Sequence, residues 1–148
     1  MKTSCIAAGI LFGLASLCSC QAGSITLAGK SVTVTVPVPR SATARNMALR
    51  VGGIVASREQ GAILRVFAGM PQANRSTSVD DERFVGYVTV LAGGGRNKAG
   101  SSAILNLPPH AGKWLKNTLA LNQALRITLV PMNDGEIHIG SVQLVPVQ

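Results

Sequence analysis

Chemistry-bearing residues are scarce in this sequence. Histidine occurs twice in 148 residues, as His110 and His138, so a site that needs three or more histidine ligands is excluded. Six residues are acidic: Glu59, Asp80, Asp81, Glu82, Asp134 and Glu136. Three of these cluster and two flank Gly135, a spread that solvated loops and turns account for. Paired acid and base carboxylates would have to meet in a cleft. Aromatic residues make up 3% of the chain, too few to line a basic groove with rings that stack on bases. Cysteine is confined to Cys5, Cys18 and Cys20. The chain after Cys20 therefore has no thiol for a disulfide, a thiolate nucleophile or a zinc-thiolate site, and rests on its core alone. No apolar run approaches the ~20 residues that span a bilayer.

The composition that remains is that of a folded β-domain. The chain is 47% hydrophobic and 14% charged, the reverse of a disordered composition. Its length suits one domain rather than two. Sixteen glycines and seven prolines imply many turns and favour an all-β fold over a helix bundle.

The first segment reads as an address. Lys2 is the only charge before Lys30, and an apolar stretch runs from Ile6 to Leu17. A basic start, a short apolar run and then small residues form a secretory signal peptide, placed at residues 1–19. Its end has two readings. Leu17-Cys18-Ser19-Cys20 has the pattern of a bacterial lipobox, which would make Cys20 the lipidated first residue of an envelope lipoprotein tethered to a membrane. Alternatively, Cys20-Gln21-Ala22 offers small residues before a cut that leaves Gly23 first, giving a periplasmic or secreted product. Residues 20–30 follow as a short tether or edge segment, and residues 31–148 form the domain.

Period-2 alternation dominates that domain. Val32, Val34, Val36 and Val38 fall on one face and Thr33 and Thr35 on the other, with Pro37 and Pro39 ending the run. Met47 to Ile54 is a second strand, bulged at Gly52-Gly53. Ala62 to Ala68 and Phe84 to Leu91 are the third and fourth, separated by a long polar loop predicted to be exposed. Gly93 to Lys98 is a glycine-rich hairpin loop, because no helix or Gly-Lys-Ser pattern follows it. Ser102 to Leu107 is the fifth strand. Ala111 to Leu121 is one short helical turn or two. Leu125 to Val130 and Ile137 to Val145 are predicted to pair across Asn133-Asp134-Gly135, an Asp-Gly turn between apolar runs. Seven short strands predict an antiparallel β-sandwich or jelly-roll-like domain.

Charge is basic and dispersed. Fourteen Lys and Arg face six Asp and Glu, a formal net charge of +8. The cations form no run interleaved with aromatics, so nucleic acid is not an expected partner. The charge suits an acidic partner or anionic surface polymers, and solubility alone accounts for it equally well. His138 alternates outward beside Ile137 and Ile139, and His110 follows two prolines. Neither is placed for metal ligation or for base catalysis oriented by a carboxylate.

Four segments, taken in order, resemble the C-terminal β-domain of polyphenol oxidases and tyrosinases, which in plants carries a Lys-Phe-Asp-Val motif. Leu49-Arg50-Val51-Gly52-Gly53-Ile54 is similar to its opening strand. Ile63-Leu64-Arg65-Val66-Phe67-Ala68-Gly69 falls at the named motif, of which Val66 is retained while Ile63, Leu64 and Arg65 replace the other three. Phe84-Val85-Gly86-Tyr87-Val88 is similar to a later strand. Leu125 to Pro131 with Ile137 to Leu144 resembles the closing hairpin. The resemblance implies a β-sandwich that covers the copper-site entrance of a latent enzyme. The six-histidine dicopper domain has no counterpart here, so no catalytic residue, metal or cofactor is expected.

The expected function is thus a non-catalytic, exported, stand-alone cap or helper for a separately encoded tyrosinase-type copper enzyme. A structural or adhesive lipoprotein of the cell envelope is the alternative, and a carbohydrate-binding module resting on Tyr87 and Trp114 a weaker one. The partner-binding candidates are Met70 in the first long loop and Arg96, Asn97 and Lys98 in the second. The export reading has a direct test. With Cys20 lipidated, Cys20→Ser abolishes lipid labelling and yields unprocessed precursor or soluble protein. A mature N-terminus at Gly23 with an unchanged membrane fraction rejects lipidation.

Overall fold

A computed structural model describes residues 24–56, 61–91, 100–121 and 123–147. The signal segment, the lipidation candidate Cys20 and the loop candidates Arg96, Asn97 and Lys98 lie outside the described residues. The elements are β1 (Ile25–Ala28), β2 (Val32–Val36), β3 (Met47–Ala56), β4 (Ala62–Ala68), β5 (Phe84–Val90), β6 (Ser101–Asn106), α1 (Ala111–Ala120), β7 (Leu125–Pro131), β8 (Glu136–Ile139) and β9 (Ser141–Pro146). All strand pairs are antiparallel, in two sheets. One runs β1-β8-β3-β6, with β9 also on β3; the other runs β2-β7-β4-β5.

The architecture is the expected all-β sandwich, with nine strands among the described residues rather than seven. Two differences account for the count. The segment before Lys30 holds an edge strand, β1, paired with β8 from Ile25↔Ile139 to Ala28↔Glu136. The run from Ile137 to Val145 is cut at Gly140 into β8 and β9.

That cut belongs to a junction of three glycines. The register of β3 against β6 shifts between Val51 and Ile54, the bulge expected at Gly52-Gly53. Gly53 is left-handed, at φ 65°. Along one edge β3 pairs with β9 from Met47 to Gly52, then with β8 at Val55 and Ala56. A Cβ on Gly53 would stand 3.1 Å from the Gly140 Cα, and one on Gly100 would stand 2.7 Å from the Gly53 carbonyl carbon. Backbone meets backbone there, so glycine is required.

The predicted closing hairpin does not form. β7 pairs with β2 and β4 in one sheet, and β8 pairs with β1 and β3 in the other. Residues 132–135 therefore carry the chain from sheet to sheet. The turn is bound to β4 instead of to a hairpin partner: Met132 N donates to Ile63 O, the Asn133 side-chain oxygen accepts from Ile63 N, and Asn133 Nδ2 donates to Gly61 O. Arg75 Nε and Nη2 donate to the Pro131 and Asn133 carbonyls at 2.8 and 3.1 Å. Alternating apolar residues on both sides of an Asp-Gly turn suit a sandwich corner as well as a hairpin.

Burial in the second sheet is two-sided. Leu64, Val66 and Ala68 of β4, with Leu125, Ile127 and Leu129 of β7, face the first sheet in the main core. Phe67 and Val130 point the other way. They lie beneath the β4–β5 connection, in a separate cluster with Ala73 that also touches Met70, Phe84 and Met132. Phe67 and Val66 are both fully buried, but on opposite faces, as a pleat demands. Phe84 is only half-buried, at the rim of that cluster.

The β4–β5 connection is thus not a free loop. It is a strap folded over the outer face of the sheet, with its outward residues exposed. The buried Thr128 Oγ1 donates to Met70 O at 2.9 Å and bonds Thr33 Oγ1 at 2.9 Å. Arg65 Nη1 donates to Arg75 O and Thr77 O. Arg75 in turn reaches Asp134 Oδ1 at 2.6 Å. Side chains from three strands tie the strap down along the sheet.

Helix α1 is longer than the predicted turn or two. Pro108-Pro109 ends β6, and Ala111 N donates to Pro108 O at the helix entry. Ala111, Trp114 and Leu115 share the buried face, at i, i+3 and i+4 spacing.

Two substitutions test this packing. Phe67→Ala lowers unfolding free energy by about 3–5 kcal/mol, the range for deleting a buried aromatic. It also speeds amide exchange at Ala73 ahead of exchange at Leu64 and Val66, because Phe67 supports the strap and not the inter-sheet core. Gly100→Ala costs about 2–5 kcal/mol, from left-handed strain at φ 71° plus the backbone clash. Gly112→Ala is the control: a Cβ there meets nothing within 4 Å, so helix propensity raises stability by up to about 1 kcal/mol. Urea midpoints read all three.

Candidate functional site

Three strand ends meet where the strap is rooted. Ala68 N donates to Arg83 O at 2.8 Å, and Gly69 N donates to Arg126 O at 2.7 Å. Arg83, Gly69 and Arg126 are thereby set side by side on the ends of β5, β4 and β7. Gly69 is left-handed, at φ 68°, and a Cβ on it would stand 2.5 Å from Arg83 Nη1. The glycine turns the chain into the strap and leaves room for the guanidinium across its backbone.

Helix α1 closes the other side. Leu121 N donates to Asn117 O and Gln123 N to Thr118 O, which folds the chain back toward β7. Between helix and strand ends lies a cleft of about 350 Å³, walled by Arg83, Arg126, Trp114, Asn117, Leu121 and Gln123, among others. His110 docks the helix on the strap: its Nε2–H donates to Glu82 O, and its ring meets Trp114 edge-on with centroids 5.9 Å apart.

The cleft is rich in donors. Two guanidinium groups reach it, and no carboxylate is among its lining residues. The carboxylate closest to the Arg83 guanidinium is that of Glu82, with Oε1 3.9 Å from Nε, while Asp81 Oδ1 accepts from the Arg83 main-chain N at 2.8 Å. Trp114 Nε1 is buried and has no hydrogen-bond partner among the described residues. Such a group is costly when left unpaired.

Of the partner-binding candidates Met70, Arg96, Asn97 and Lys98, only Met70 lies within the described residues. Its side chain packs on the Phe67 cluster and its carbonyl accepts from Thr128, so it anchors the strap. Neither Gly69 nor Pro71, which flank it and do line the cleft, was singled out. The two long connections are rooted at opposite ends of the second sheet. One joins the end of β4 to the start of β5, and the other leaves the end of antiparallel β5.

His138 is set more tightly than its strand context suggested. Its Nε2 lies 2.9 Å from Glu136 Oε1, and its Nδ1 lies 3.1 Å from Thr26 Oγ1 on the paired strand. Hydroxyl, imidazole and carboxylate stand in the order of a nucleophile–base–acid relay. They occupy an open strand face, however, with the His138 and Glu136 side chains 46% and 61% exposed. The contact works as a cross-strand clasp. Its elements, β1 and β8, are distant in sequence, so no motif announced it.

No family model and no curated protein sequence matches the chain. Solved structures do match in fold. Against latent aurone synthase, a polyphenol oxidase, the TM-score is 0.58 at 16% identity, over 80% of this chain and 24% of that one. Against the same enzyme from its natural source it is 0.59 at 17% identity, over 81% and 25%. Against latent apple tyrosinase it is 0.60 at 18% identity, over 84% and 27%. A dicopper centre does not fit the residues present, since His110 and His138 sit on separate elements with separate partners. Among the described residues, no three His, Cys, Asp or Glu side chains form a group that could hold a metal. This chain spans about a quarter of the length of the enzymes it matches, and its fold is similar to that one part of latent polyphenol oxidases and tyrosinases, a match consistent with their C-terminal domain.

Proposed function

We propose that this domain is a non-catalytic partner that binds and shields, or assists, a tyrosinase-type copper enzyme supplied as a separate chain. The observation that carries the reading is the lopsided coverage: 80–84% of this chain against 24–27% of enzymes described as latent. The ordered segments that resemble the C-terminal β-domain support the same assignment. A domain fused to its enzyme acts at high effective concentration. A separate one relies on its own interface, and export with a lipid tether at Cys20 would restore part of that concentration near a membrane.

The proposed interface uses the strap and the glycine-rich connection, with Arg96 and Lys98 set against an acidic rim. The domain should bind the purified tyrosinase of its own source and change its rate of diphenol oxidation while consuming no substrate itself. Arg96→Glu combined with Lys98→Glu should slow association, with a defect that shrinks as salt rises. No binding at micromolar concentration and no change in rate overturn the proposal.

A further inference from the structure

The arginines of this fold divide into two kinds. Arg65 and Arg75 are consumed by the strap: Arg65 donates to two carbonyls, and Arg75 to three carbonyls and the Asp134 carboxylate. Arg83 and Arg126 are not. Among the described residues, neither guanidinium makes a hydrogen bond; the outward Glu82 stands 3.9 Å from Arg83 Nε, and the Asp81 carboxylate is held by the Arg83 main-chain N. Both nonetheless line the same cleft, beside Trp114 with its unpartnered Nε1–H.

We propose that this cleft binds a carboxylate side chain presented on an acidic peptide segment of a partner protein. Each wall contributes to that choice. Guanidinium groups match a carboxylate in charge and planar geometry. The side-chain amides of Asn117 and Gln123 can pair with peptide groups that flank the acid. Leu121, 65% exposed at the rim, offers apolar contact that a small free anion does not use. The surplus of positive charge over the whole chain steers an acidic partner toward it. The proposal goes beyond a cap for a copper enzyme and does not depend on the partner being one.

The molecule carries its own reporter, since Trp114 is its only tryptophan. The test is to titrate the purified protein with a blocked tetrapeptide, Leu-Asp-Glu-Leu, and follow Trp114 emission. In parallel it is titrated with the neutral counterpart Leu-Asn-Gln-Leu, with sodium acetate and with sodium sulfate. The expected result is a saturable change with the acidic peptide, at least ten-fold weaker with the neutral one and with either small anion. Arg83→Gln and Arg126→Gln should each weaken binding at least ten-fold, with unfolding midpoints unchanged. Arg50→Gln removes an equal charge from β3 in the other sheet and should leave binding as it was. No saturable change, equal binding of the neutral peptide, or full binding by both cleft variants overturns the proposal. Equal binding of acetate or sulfate replaces the peptide with a small-anion site and overturns it too. Failure here leaves the tyrosinase assay unaffected, because that assay reads the enzyme's rate and not this cleft.

Discussion

The centre of the second sheet, where β4 lies beside β7, is buried on both faces, and much of the molecule follows from that. A β-sandwich ordinarily leaves the outer face of each sheet to water. Here β4 and β7 carry large apolar residues on successive positions, as at Val66-Phe67-Ala68 and Leu129-Val130. One set meets the first sheet. The other would be exposed without the strap. The strap is long because it must run along the sheet, and polar because its outer side meets solvent. Thr128, Arg65 and Arg75 are spent holding it.

The cleft is a by-product of the same constraint. A strap that leaves the end of β4 and returns at the start of β5 brings Arg83 next to Gly69, and β7 supplies Arg126 on the other side. Helix α1, docked by His110 on the strap's return, adds Trp114 and the polar wall. The residues of the cleft come from three separate stretches of chain, joined by backbone hydrogen bonds between strand ends. Its guanidinium groups make no close ion pair among the described residues because the adjacent acids are turned elsewhere: Asp81 accepts from the Arg83 main-chain N, and Glu82 faces solvent.

The legible parts of this fold were those written in local periodicity. Alternation from Val32 to Val36, the apolar runs at Met47 and Ala62, the bulge at Gly52-Gly53 and the outward His138 all appear where the pattern placed them. Pairing was less legible. The Asp-Gly turn gives the chain a reversal but does not say which sheet receives the next strand; Arg75 and Asn133 settle that from a distance. Phe67 shows the same limit from another side. Its hydrophobicity announces burial, but its neighbours on either side share the opposite face, and only a covering segment can bury it. The Arg83–Arg126 pair was illegible for a simpler reason. Single arginines far apart in sequence carry no spacing signal until the strands are aligned.

The pairing of β1 with β8 bears on the order in which the molecule can be built. Ile25 meets Ile139, and among the described residues β1 has no other neighbour in its sheet. A ribosome adding about 5–20 residues per second needs several seconds to lay down the chain between them. Throughout that interval β1 is an apolar strand without a template. The first sheet gains β1 only after β8 has been made, so its closure follows the synthesis of every strand from β2 to β7.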